Sequence, residues 1–229
     1  MSTLLIPVAL AVGWGIAMIR LSVWRTGRML EENSRPLDDP SVQAQAQRLA
    51  RALDMPRIEV RVFEVEAVNG LAAPDGRIYL TRGFVQKYCR GEVSAEELAA
   101  VIAHELGHVA MGHLRRRMID LTGQNAIFVV LTALLSRVLP FVGIWIANAI
   151  ATALAARLSR RDEFEADAYA TALLIKAGIG TGPQKSLFAK LDALTGGAGA
   201  AIPDWLRSHP AGSERIAAIE ANEARWMGA

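Results

Sequence analysis

Apolar and polar positions divide the chain into two long greasy stretches and a patterned remainder. Ser2 to Ile19 carries no charged side chain, and Leu21 to Trp24 extends the run past Arg20. A helix of about 20 residues matches a bilayer core of about 30 Å. Residues 1–24 therefore read as an N-terminal transmembrane anchor, with Arg20 snorkelling and Trp24 at the interface. A cleaved signal peptide is the alternative, but it carries its basic residues before the apolar core, whereas Arg20, Arg25 and Arg28 come late here. Residues 25–40 are polar and read as a linker. Apolar positions at helical spacing predict a helix over Ser41–Leu53. The pattern then alternates through Ile58–Val65, and Val68–Ala73 and Arg77–Thr81 flank a Pro74-Asp75-Gly76 turn. Ser94 with Glu97 three residues later is a capping box that opens a long helix through Arg117.

The second greasy stretch runs from Met118 to Ala156 and is interrupted at Arg137 and Pro140. Two helices of about 18 residues, each about 27 Å long, fit it. Residues 118–157 thus form a hydrophobic helical hairpin that spans the membrane or dips into it. Helical patterns follow at 161–176 and 183–194, then a Gly/Ala-rich loop from Gly196 to Ala201 and a last helix from Ser213. The sum is an α+β chain, mainly helical with a small antiparallel sheet, plus membrane helices. Residues 25–117 and 158–229 make its one folded domain.

Composition narrows the picture. A chain of 229 residues holds one domain with a sizeable core, not two ordinary ones. Hydrophobic residues make up 52% and charged ones 21%, and the mean hydropathy is +0.24. That surplus belongs in a bilayer or an unusually apolar core. A net charge of +2 gives no footprint for nucleic acid. Cys89 is the single cysteine, so there is no intramolecular disulfide and no cysteine-based zinc site.

Any metal must rest on histidines and carboxylates, and the capped helix offers them as His104-Glu105-Leu106-Gly107-His108. Residues at i and i+4 lie about 40° apart around a helix, so both imidazoles share a side. Glu105 starts from the same turn and can reach a water at the metal. Two His ligands plus a Glu that takes the water's proton is the zincin arrangement. Catalytic zinc usually has a third protein ligand. His113 does not match the metzincin pattern, which puts the third His six residues past the second; His113 is five past His108. On a continuous helix it would sit about 140° away. It reads as a structural or polar-face histidine. Acidic candidates cluster in Asp162-Glu163-Phe164-Glu165-Ala166-Asp167. Glu163 and Asp167 share one helix face, which suits a ligand and an acid that orients a ligand imidazole. A solvated charge run beside Arg160 and Arg161 has the same composition.

HELGH, then SRRDEFEAD after an apolar hairpin, then SHP with a following Arg, resembles the HtpX-like and CAAX-prenyl-protease-type zinc metallopeptidases. The resemblance covers roughly Leu49 to Ile219. It implies a zincin-type endopeptidase with one Zn²⁺ per chain, held by His104, His108 and Glu163. Glu105 is then the catalytic base, Asp167 the acid behind a ligand, and Glu165 a bystander. The His-Pro segment maps on His209-Pro210, with His209 as oxyanion donor and Arg215 bracing its loop. The substrate-binding edge strand maps on Asn69, Gly70 and Leu71, so a polypeptide substrate would add as an extended strand. The resemblance also implies unfolded or membrane proteins as substrates. HtpX-like members usually carry two N-terminal spans, against one here.

His104, His108 and Glu163 must meet on one side of any membrane, so the chain between them crosses it twice or not at all. Arg115, Arg116, Arg117, Arg157, Arg160 and Arg161 flank the hairpin on the active-site side, and Arg25 and Arg28 join them. The positive-inside tendency then predicts an integral protein of the cytoplasmic membrane whose catalytic domain faces the cytoplasm. Two rivals stand beside this reading. One is a non-proteolytic, zinc-containing membrane scaffold or chaperone, which has no use for Glu105. The other is an exported soluble protease with residues 1–24 removed.

Overall fold

A computed structural model describes residues 2–73, 75–139, 141–194 and 210–227. The first helix, α1 (Ser2–Glu32), continues through the stretch that reads as a linker, and an Arg28–Glu32 pair one turn apart bridges its last turn at 2.6 Å. β1 (Ser34–Pro36) follows directly. Asp39 caps α2 (Pro40–Ala52) by accepting from the backbone N–H groups of Ser41 and Val42.

β2 (Val60–Phe63), β3 (Gly70–Ala72) and β4 (Ile78–Thr81) complete a four-stranded sheet in the order β1-β2-β4-β3. The hairpin of β3 and β4 is antiparallel, as the turn residues predict. The sheet as a whole is mixed, because β2 and β4 run parallel with Val60 opposite Ile78. Alternation marks a buried face but carries no strand direction. The segment after β2 travels back along the sheet before β4 begins, and a parallel pair needs such a return. β3 is thereby left at the edge.

A short α3 (Arg82–Cys89) leads to α4 (Ala95–Ala110). The capping box is present: Ser94 Oγ accepts from Glu97 N at 3.1 Å, and Glu97 Oε2 accepts from Ser94 N at 2.8 Å. α4 is the centre of the core, and Leu98, Ala99, Ile102 and Ala103 have no solvent exposure. It ends sooner than periodicity predicts. Gly112 takes a left-handed conformation at φ 65°, and α5 (His113–Val138) starts afresh beyond it.

α6 (Gly143–Lys176) is one helix where two were expected. Nothing between Ala156 and Asp162 breaks a helix, and an Arg161–Glu165 pair at 2.8 Å supports the join. α5 and α6 pack as a hairpin whose far end leaves Val138, Phe141 and Trp145 between 72% and 90% exposed. Among the described residues no helix is long and apolar enough to cross a membrane. α7 (Gly182–Leu194) and α8 (Gly212–Met227) close the domain against α4 and α6.

One contact sets the geometry of everything below. A Cβ on Gly107 would lie 2.9 Å from the Ala166 carbonyl oxygen and 3.1 Å from Ala166 Cα. The absence of a side chain there lets the backbones of α4 and α6 touch.

Candidate metal centre and active site

The crossing at Gly107 stacks the first helix's histidines on the second helix's acids. His104 Nε2 and His108 Nε2 lie 3.1 Å apart, Glu163 Oε2 is 3.4 Å from the first, and Glu163 Oε1 is 3.5 Å from the second. Tetrahedral zinc with bonds of about 2.0–2.1 Å places its ligand atoms about 3.3 Å apart. The three side chains therefore already have the spacing of three corners around one ion. Glu163 is only 1% exposed.

Glu105 lies on the same helix beneath the edge strand. A Cβ on Gly70 would be 3.2 Å from Glu105 Oε1 and 2.6 Å from Val101 Cγ1, so β3 sits directly on α4. A cavity opens at this point, lined by Asn69, Gly70, Val101, His104, Glu105 and Phe188 among others. Asn69 turns its side-chain oxygen to its own strand, accepting from Gly70 N at 2.9 Å. His209 lies outside the described residues. The last helix, expected from Ser213, begins at Gly212.

Residues 36–223 match the family described as Peptidase family M48. The chain belongs to that family. Its M48 relatives include Metalloprotease LoiP of Escherichia coli (strain K12), 31% identical with 69% of this chain and 60% of LoiP covered. A mitochondrial metalloendopeptidase OMA1 of Arabidopsis thaliana is 32% identical, with 69% of this chain and 30% of OMA1 covered. A Protease HtpX homolog of Chlorobium phaeobacteroides (strain BS1) is 26% identical, with 95% and 82% covered. The M48 chain thus spans less than two thirds of the LoiP and OMA1 sequences.

Behind the metal candidates of this M48 domain lie two lines of support. In the first, His104 Nδ1 donates to Asp167 Oδ1 at 2.9 Å, and Arg215 Nε donates to Asp167 Oδ2 at 2.6 Å. Burial would raise Asp167, but the Arg215 guanidinium and the His104 ring together hold the carboxyl down at about 2. Arg215, 3% exposed, also stacks over Phe188 at 3.8 Å, so it braces Asp167 rather than a loop alone. With Nδ1 committed as donor, His104 presents its Nε2 lone pair to the metal position. Burial would lower His104, yet the carboxylates of Asp167 and Glu163 raise it to about 9. The carboxylates that hold a proton on that ring would hold a divalent cation in its place, and binding would release the proton. On spacing, donor type and charge the site fits zinc.

The second line runs through two residues that the sequence set apart from the metal. Of the two places read for His113, structural and polar-face, it takes the structural one: it is 1% exposed, and its Nδ1 is 2.8 Å from His108 Nδ1. The 140° separation presumed a continuous helix, and the Gly112 turn removes it. Glu165 stays outside the candidate ligand group, yet it receives Arg116 and Arg161, both at 2.8 Å, and lies 3.3 Å from His113 Nε2. Arg116 above all holds the Glu165 carboxyl at about 2. The signal that could have revealed this was Gly112 itself, a helix breaker immediately before a histidine.

Proposed function

We propose that the chain is a zinc-dependent metalloendopeptidase with one ion held by His104, His108 and Glu163. The observation that carries this reading is the convergence of those three side chains beside Glu105, directly under an open sheet edge. The metalloprotease and metalloendopeptidase names of LoiP and OMA1 support it. When bound, zinc would supply Lewis acidity to a carbonyl oxygen and lower the pKa of a water toward about 7.

The chain's own groups supply the rest. Glu105 accepts the proton of the attacking water and passes it to the leaving amine. Glu163 and the two imidazoles fix the ion's position, and Asp167 with Arg215 fixes His104 in the correct tautomer. A polypeptide adds as a strand along Gly70 and Leu71, using main-chain hydrogen bonds that demand little of its side chains. Unfolded or membrane proteins in quality control suit that tolerance. His209 would donate a hydrogen bond to the developing oxyanion.

The exposed apolar tip of the α5–α6 hairpin and the apolar start of α1 support association with a bilayer. The catalytic domain faces the cytoplasm on the charge pattern above, and the hairpin spans or dips. Cysteine labelling near Glu97 and near Arg137, with Cys89 replaced, separates these arrangements. External labelling near Glu97 would reject the cytoplasmic assignment. The function is tested by casein digestion in detergent with zinc restored, comparing wild type with Glu105→Gln. Cleavage must vanish in the variant while zinc content stays at one per chain; equal cleavage rejects the proposal.

A further inference from the structure

His113 lies outside the HELGH motif, five residues past His108 on a different helix, yet its ring reaches the back of His108. The two ring centroids are 4.9 Å apart and the planes are inclined at 71°, an edge approach that aims Nδ1 at Nδ1 over 2.8 Å. Such a contact needs one proton between the two nitrogens. Its placement follows from the other end of His108, whose Nε2 faces His104 and Glu163 and must carry a lone pair to bind an ion. The proton is therefore on His108 Nδ1, and His113 Nδ1 is the acceptor. His113 must then carry its own proton on Nε2, where Glu165 Oε2 waits at 3.3 Å and Asp162 Oδ1 at 3.8 Å.

Beyond those carboxylates stands Arg116, whose Nη1 donates to Asp162 Oδ1 at 2.9 Å and to Glu165 Oε2 at 2.8 Å. His113, Asp162 and Glu165 have donor atoms close enough to suggest a second metal site. The guanidinium already supplies the cation that such a cluster would seek, so the group is a support and not a second centre.

We infer that His113 is a positioning residue for His108, fixing its tautomer and ring plane as Asp167 does for His104. The two lines have the same logic. Each candidate ligand imidazole donates from Nδ1 to an acceptor, and an arginine neutralises the carboxylate behind it. They differ in one link, because the His108 line inserts a neutral imidazole between ligand and acid. A neutral acceptor raises the basicity of His108 less than a carboxylate would, so the two ligands are unequal. The inference also gives Gly112 a task. Only a left-handed residue at that place returns the chain so that the first residue of α5 faces the last turn of α4.

The inference rests on the metal reading above, and the test separates the two. Zinc affinity of the full chain is measured by competition with a chromophoric chelator, beside the visible spectrum of the cobalt-substituted protein. His113→Leu removes the acceptor and should weaken zinc by about 10–100-fold. It should also alter the cobalt ligand-field bands. His113→Asn keeps an oxygen near the Nδ1 position and should restore affinity to within about threefold of wild type, a rescue that mere packing does not provide. Wild-type affinity in His113→Leu overturns the inference, and so does an equal loss in Leu and Asn. If His113→Leu does not fold, Glu165→Met decides. It takes the nearer acceptor from His113 Nε2, and weaker zinc binding supports the inference while unchanged binding overturns it. Glu163→Ala is the control: zinc retained there breaks the metal assignment itself, whereas zinc lost there and kept in His113→Leu breaks the positioning role alone.

Discussion

The base and the tip of the α5–α6 hairpin reverse the usual relation between polarity and burial. At the base Asp162, Glu163, Asp167 and His113 are each no more than 2% exposed, whereas at the tip Phe141 is 90% and Trp145 72% exposed. The buried acids and imidazole are held because each has a charged or hydrogen-bonding partner across a helix boundary, without which burial would be costly. The exposed aromatics lie largely outside the packed core. Helix α6 carries both conditions along one rod. Residue type therefore predicts burial poorly here, and partners predict it well.

Four experiments break or sharpen that contrast. The largest effect belongs to Glu105→Gln, which should cut turnover by roughly 10²–10⁴-fold with zinc content unchanged. Casein digestion and metal analysis on one preparation check both halves. Next is Asp167→Ala, which leaves Arg215 buried without its carboxylate. It should cost about 3–5 kcal/mol of stability and about 10–100-fold in zinc affinity, read by urea unfolding and chelator competition. A variant as stable as wild type would mean that the base does not depend on its partners. Gly70→Ala is smaller: its Cβ would push β3 off Val101, and kcat/KM should fall about tenfold with zinc retained. The smallest effect on the site comes from Phe141→Ser with Trp145→Ser. Stability should move by no more than about 0.5 kcal/mol and zinc binding not at all, while cosedimentation with lipid vesicles declines. A lowered melting point in that pair would show the tip to be part of the core.

Much of the base was legible from the chain because its signals are local. The capping box, the i and i+4 histidines and the hairpin turn at Asp75 and Gly76 each declare themselves within five residues. The remainder depends on glycine in two opposite uses. Gly107 lies inside α4 because α6 leaves no room for a side chain, and Gly112 ends the same helix through a positive φ. Periodicity treats both alike, so it runs α4 through Arg117 and puts His113 about 140° around the helix from His108. The parallel pairing of β2 with β4 was hidden for a similar reason, since strand direction is decided by residues outside either strand. The join within α6 was hidden by its charges, which read as a boundary although Arg161 and Glu165 hold the turn together.

The apolar hairpin separates His108 from Glu163 in the chain. A ribosome delivers HELGH first, then the whole hairpin, and only then the acid that completes the candidate ligand set. Until α6 has been made and laid against Gly107, the newborn chain owns two histidines and a glutamate but no three-cornered site. Completion of the candidate site is thereby scheduled after the greasy segment has found its place.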